Sequence, residues 1–257
     1  MTRTSPTPTR AVLFFTLTLA ACGHAANLST SPDATPSTDV VDAANPDAAD
    51  DGLPRVVDMF DDFEDGNLDV NSAGGRFGHW YNYGDDTDGT NAIGVVTLDP
   101  STGRHETYRM TSRMALRVQA NGYTRWGSGY TADIAASSPY DLGAYTGLLL
   151  WTRNLSTEPL AIKVAITDAN SDPRGGRCDK TDGAPKEIAC YDTFAKMVTV
   201  WPGEWSIHML PFWSLEQAGF GLPAPALAVH EAYSVVVTDN MGKTYDYEID
   251  DIGFYIE

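Results

Sequence analysis

From residue 55 onward the chain alternates short apolar runs with turn residues, and the runs have the period of strands. Leu160, Ile162, Val164 and Ile166 alternate with Ala161, Lys163, Ala165 and Thr167, one buried face against one milder face. Runs of this kind predict strands over 56–64, 93–98, 115–120, 129–134, 147–153, 160–167, 196–200, 205–211, 233–238 and 245–256. Asn121-Gly122, Ser138-Pro139 and Trp201-Pro202-Gly203 supply turns between them. One short helical piece is expected at 213–218, with Ser214 as its cap and Gly219 as its stop. Many short strands without helical crossovers predict an all-β fold, an antiparallel β-sandwich or jelly roll. There is no internal repeat.

The first 54 residues lack this pattern. Arg3 and Arg10 precede an apolar run over 11–19, too short to cross a bilayer comfortably, and Leu19-Ala20-Ala21-Cys22 follows. That sequence resembles the bacterial lipobox. The resemblance implies that 1–22 is a lipoprotein signal peptide, cleaved before Cys22, whose thiol then takes the lipid. An ordinary secretory peptide with an incidental cysteine is the alternative. Gly23 stands where an aspartate would retain some lipoproteins at the inner membrane, which points to the outer membrane of a Gram-negative cell envelope. Residues 23–54 are rich in Ala, Asp, Pro, Ser and Thr and cannot bury enough surface to offset their ordering entropy. They read as a tether. Residues 55–257 are enough for one well-cored domain, expected to be monomeric.

Charge and cysteines narrow the setting. Loss of Arg3 and Arg10 takes the formal charge from −18 to −20. Such acidity argues against nucleic-acid phosphates and against electrostatic adhesion to anionic lipid. Cys178 and Cys190 flank a polar segment with Gly and Pro in an exported chain, and read as a disulfide closing a surface loop.

Two acidic phrases bracket the domain, Asp61-Asp62-Phe63-Glu64-Asp65-Gly66 and Ile249-Asp250-Asp251-Ile252-Gly253-Phe254. Asp250 shares its parity with Ile252 and Phe254, so a regular strand would turn it inward with them. A buried carboxylate needs a cation or several donors. Calcium between Glu64 and Asp250 would answer that need; a salt-bridged or water-bonded pair would answer it equally. Asp85-Asp86-Thr87-Asp88-Gly89 is oxygen-rich enough for calcium but lacks EF-hand spacing, and reads as a solvated turn.

Four motifs carry a resemblance. Asp62-Phe63-Glu64-Asp65-Gly66 looks like an opening strand. Tyr140-Asp141-Leu142-Gly143-Ala144-Tyr145-Thr146-Gly147-Leu148-Leu149-Leu150-Trp151 leads into a central strand. Trp205 to Phe212 forms a Trp-to-Pro-Phe strand, and Tyr247-x-Ile249-Asp250-Asp251-Ile252 closes the chain. In this order they resemble the galactose-binding-like β-sandwich of carbohydrate-binding modules, nearest to family 11. The resemblance implies a jelly-roll fold and a polysaccharide or glycan partner. The Cys178–Cys190 insertion departs from that pattern.

Sugar binding needs aromatic faces and polar side chains. Trp80, Tyr81 and Tyr83 cluster in loop-like sequence; Arg125, Trp126 and Tyr130 lie around a Gly-rich turn; Tyr191 follows Cys190. These seven are the candidate carbohydrate contacts. Trp151, Trp205 and Phe212, inside apolar strand motifs, read as core. There is no Gly-x-Ser-x-Gly elbow, zinc-protease motif, P-loop or dinucleotide fingerprint, and the five histidines form no recognisable spacing. The expected function is therefore a non-catalytic, lipid-anchored carbohydrate-binding protein. A jelly-roll hydrolase or lyase, using a carboxylate pair, is the first alternative. A structural or adhesion lipoprotein with a protein partner is the second.

Overall fold

The computed structural model describes residues 55–99, 112–135 and 138–257. The lipobox with Cys22 and the 23–54 tether lie outside the described residues. Among the described residues eleven strands form two antiparallel sheets around a shared core, the sandwich that the hydrophobic pattern predicts. One sheet has six strands: β1 (Arg55–Asp61), β3 (Thr90–Thr97), β4 (Met114–Asn121), β6 (Gly147–Asn154), β9 (Trp205–Pro211) and β11 (Tyr245–Ile256). Its order is β3-β4-β11-β6-β9, with β1 also paired to β11. The other has five: β2 (Trp80–Gly84), β5 (Gly127–Asp133), β7 (Leu160–Asp168), β8 (Phe194–Val200) and β10 (Ala232–Asn240), in the order β2-β5-β10-β7-β8.

Ten predicted strands are present. β2 is the addition, because its Trp-Tyr-Asn-Tyr-Gly sequence among Gly, Asn and Asp reads as loop. The expected helical piece is only a 3-10 turn over Phe212–Ser214, and the Ser214 hydroxyl bonds the Pro211 carbonyl instead of capping a helix.

Core packing follows strand parity. Leu160, Ile162, Val164 and Ile166 of β7, Val235 and Val237 of β10, and Leu148 and Leu150 of β6 are all buried between the sheets. First and last strands meet as the bracketing phrases suggest: β1 pairs with β11 from Arg55↔Ile256 to Asp61↔Ile252. The inward parity of Asp250 is corrected. Tyr245, Tyr247 and Ile249 point into the core, then Ile252 and Phe254 do so one register later. The pairing with β6 jumps from Asp250↔Trp151 to Gly253↔Leu149, and Asp251 has a φ of 45°. A β-bulge at 250–251 therefore flips the parity and leaves Asp250 on the opposite side of β11 from Ile249.

The two sheets are also joined through buried polar groups. Tyr247 donates to Asp239 Oδ1 at 2.7 Å, Ser128 donates to its Oδ2 at 3.3 Å, and the Tyr247 and Tyr130 hydroxyls meet at 2.9 Å. Burial pushes the Asp239 carboxyl up to about 6, against the pull of these donors.

Trp151 and Trp205 are not core. They share parity with Arg153, on the outer face of the six-stranded sheet, and are half-buried there; Phe212 is buried as expected.

Candidate functional site

The pleat of β2 divides its aromatic residues. Trp80 turns inward and is fully buried, its Nε1 donating to Asp61 at 2.8 Å and its ring beside Phe60 and Tyr130. Tyr81 and Tyr83 have the opposite parity and stand on the outer face of the five-stranded sheet. Tyr130 on β5 is also buried. Trp80 and Tyr130 are therefore corrected from candidate ligand contacts to core: an inward strand position closed by the second sheet leaves no ring face for a sugar.

Tyr83 lies down on the sheet because its neighbour has no side chain. It pairs with Gly129 on β5, and a Cβ on Gly129 would fall 2.5 Å from the Tyr83 hydroxyl and 2.6 Å from Cζ. The ring thus occupies the seat of the missing Cβ. Its hydroxyl meets Thr238 on β10, and burial pushes that phenol up to about 12. Trp126 leans against it, with centroids 5.9 Å apart and planes at 42°. Trp126 keeps 47% of its surface exposed and Tyr81 keeps 49%.

The loop that carries Trp126 is pinned by one carboxylate. Asp85 Oδ2 accepts the amides of Arg125, Trp126 and Gly127 at 2.8, 2.9 and 3.0 Å, while Oδ1 accepts the Thr87 amide and hydroxyl. Desolvation works against the charge of Asp85, but the Thr87 hydroxyl and these amides outweigh it and hold the carboxyl well below the usual range. The acidic 85–89 turn is thus an anchor rather than a merely solvated turn. Arg125 is exposed beside Trp126.

The floor follows from the ladder. Tyr83, Gly129, Thr238, Lys163 and Met197 form one row across the strands; Tyr81, Thr131, Val236, Ala165 and Ala195 form the next. The two rows make a face about 19 Å wide at four interstrand spacings, with small side chains at Thr131, Ala165 and Ala195. At its upper end Arg174 donates to Asp172, to Asp133 at 3.0 Å and to Ser234 at 2.8 Å, with its guanidinium 4.9 Å over Tyr233. Asp133 and Arg174 both influence the Tyr81 phenol, which burial raises above its ordinary value.

Tyr191 is not brought to this corner. It precedes β8, at the other edge of the sheet, with 59% exposure and a φ of 74°. The Cys178–Cys190 disulfide forms as expected immediately before it. The next residue, Asp192, accepts the amides of Ala218, Gly219, Phe220 and Gly221 at 2.8 to 3.2 Å, repeating the anchoring device of Asp85.

Glu64 and Asp250 meet through Ser112, whose hydroxyl contacts both. Glu64 Oε1 accepts the amides of Arg113 and Met114 at 2.6 and 2.9 Å, and its Oε2 takes the Arg113 guanidinium at 2.9 Å. Burial pushes Asp250 up to about 8. Calcium wants six to eight oxygens. Among the described residues no group of three or more Asp, Glu, His or Cys side chains is placed to hold an ion, and N–H donors already fill Glu64. As they stand, these residues do not fit the expected calcium.

Beside β2 lies a cleft of about 740 Å³, lined in part by Asp61, Asp62, Asp65, Asp69 and His79. Its acids serve the turns that carry them. Asp62 and Asp65 accept the amides of Glu64 and Asn67, and Asp69 pairs with His79 at 2.7 Å.

Thr238, Lys163, Gly129 and Asp85 were not evident as site residues from the sequence. Gly127-Ser128-Gly129 carried the one usable signal, since glycine inside a strand marks a close approach.

No family model matches the chain, and no curated protein matches it. Solved structures do. A family 11 carbohydrate-binding module from Clostridium thermocellum, in complex with a β-1,3-1,4-mixed-linked tetrasaccharide, aligns with a TM-score of 0.50 at 14% identity, over 77% of this chain and 95% of that one. The family 11 module of a cellulosomal cellulase of Clostridium thermocellum aligns with a TM-score of 0.48 at 11% identity, over 80% and 95%. An exo-beta-agarase aligns with a TM-score of 0.44 at 12% identity, over 78% of this chain but 25% of its own. At these identities the likeness is one of architecture: the described domain has the β-sandwich fold of family 11 carbohydrate-binding modules.

Proposed function

We propose that this protein binds a polysaccharide, without chemistry, on the outer face of its five-stranded sheet. The observation that carries this reading is the aromatic corner. Tyr83 is seated across Gly129, Trp126 is pinned by Asp85 against it, and Tyr81 stands beside them, so the rings are fixed before any ligand arrives. Preorganised rings lose little entropy on binding. Their apolar faces suit sugar C–H groups, while Thr238, Lys163 and the Asp133–Arg174 cluster supply donors and acceptors for hydroxyls. The shared fold supports the reading. Lipid attached at Cys22, with 23–54 as spacer, would hold this face away from the outer membrane.

The test is retardation of the full chain in native gels containing polysaccharides. At least one polymer should slow it, and Trp126→Ala and Tyr81→Ala should each restore free migration. A chain that runs unretarded through neutral, uronate-bearing and sulfated polymers does not bind glycan this way. Cys22→Ser should release the protein from the membrane fraction; continued membrane retention would sink the anchoring part.

A further inference from the structure

Among the described side chains, four cations are not exposed: Arg76, Arg117, Arg153 and Lys163. The first three each hold a carboxylate, on Asp58, Asp246 and Glu248, at 2.5 to 2.8 Å. Lys163 differs. No hydrogen bond and no ion pair within 4 Å reaches its ammonium among the described residues. It stands on β7, the fourth of the sheet's five strands, paired across the ladder with Thr238 on one side and Met197 on the other. Burial lowers its affinity for a proton, and Asp192 supports its charge only from a distance. Asp192 is itself satisfied by four backbone amides and has no need of a cation.

A half-buried ammonium that no protein acceptor reaches, and that is not sealed from solvent, is open to an anion on a ligand. That this occurs in a chain of net charge −18, where carboxylates outnumber cations two to one, gives the omission weight. We propose that the missing partner is the ligand: the outer face of this sheet takes an anionic polysaccharide, and a ring carboxylate or sulfate ester seats on Lys163. The inference rests on the glycan-binding reading and adds the class of glycan. Met197 pairs with Lys163 across the ladder, and its apolar side chain beside the lysine lowers the local dielectric and strengthens a charge-assisted bond. The acidity of the whole molecule opposes this only at long range. At physiological ionic strength it is screened beyond about 8 Å, while the ammonium acts in contact.

The experiment compares retardation of the full chain by mixed-linkage β-glucan (neutral), polygalacturonate (carboxylate) and carrageenan (sulfate ester). One anionic polymer should bind more tightly than the neutral one, and which of the two it is identifies the anion. Lys163→Met should weaken that binding by about tenfold, the worth of a hydrogen bond to a charged group. Lys163→Arg should keep it, and both variants should melt like the parent. Equal or tighter binding of the neutral glucan would overturn the inference while leaving glycan binding intact. So would an anionic affinity that Lys163→Met does not change. Binding to none of the three would remove both.

Discussion

The outer faces of the two sheets are built from similar residues and do opposite things. On the six-stranded sheet, Arg117 grips Asp246 bidentately at 2.9 and 2.8 Å, Arg153 meets Glu248 at 2.6 Å, and the same Arg153 lies 5.4 Å over Trp205. Both half-buried arginines there have carboxylate partners. On the five-stranded sheet small residues such as Thr131 and Ala165 lie between the strands' larger ones, the rings stand at the β2 edge, and the Lys163 ammonium has no contacting acceptor among the described residues. Aromatic and charged composition does not separate the two faces. What separates them is whether the groups are already satisfied.

The contrast can be broken first at the cations. Arg153→Met should destabilise the fold by about 3–5 kcal/mol, because it strands the buried Glu248. Lys163→Met should be neutral or slightly stabilising, since it leaves no carboxylate behind. Denaturant midpoints of the two variants check this, and equal losses would show that Lys163 has a structural partner after all. The rings come next. Trp126→Ala should cost at least about 2 kcal/mol of glycan affinity as an exposed stacking ring of the corner, while Trp205→Ala leaves affinity unchanged. If both variants bind alike, the assigned face is wrong.

Glycines sharpen the comparison further. Gly129→Ala must displace the Tyr83 ring and should cost about 1–3 kcal/mol in stability, with a loss of affinity. Gly94 sits opposite Arg117 on the other outer face, and a Cβ there meets nothing within 4 Å. Gly94→Ala should be neutral or stabilising by up to about 1 kcal/mol. Thermal melts and binding isotherms of the pair give the answer.

The smallest effect is one of pH. Asp239, behind the floor, titrates at about 6 in the folded state, above its ordinary 3.8, so the folded chain holds the proton more tightly than the unfolded one. Its contribution is therefore fully present below the unfolded value and is lost as pH rises through about 6, at no more than about 1.4 kcal/mol per unit. Asp61, raised by burial to about 7, acts in the same sense. Urea midpoints should fall between pH 4 and 7, and Asp239→Asn should flatten part of that slope. A midpoint that rises across the window contradicts it.

Much of the fold was legible in the sequence because period-2 alternation is a local signal, as the run from Leu160 to Thr167 illustrates. Two features escaped it. The bulge at 250–251 flips parity with no Gly or Pro at the flip itself, so Asp250 read as inward facing. β2 hid among Gly, Asn and Asp, and with it went the division of Trp80 from Tyr81 and Tyr83. Of the site, Trp126 and Tyr81 were visible as aromatic residues in polar surroundings. Lys163 was not, because a lysine on the milder face of a strand is ordinary until its lack of a partner is seen in three dimensions. Asp85 likewise looked like one acid among several; its role depends on amides 40 residues downstream.

The most direct measurement follows the indole N–H signals of the six tryptophans by NMR while oligosaccharide fragments of the neutral, uronate and sulfated polymers are added in turn. With the fragment that binds, the Trp126 signal should move while those of Trp80, Trp151 and Trp205 stay in place. Movement of Trp151 and Trp205 with Trp126 unmoved, or no movement with any fragment, would contradict the account.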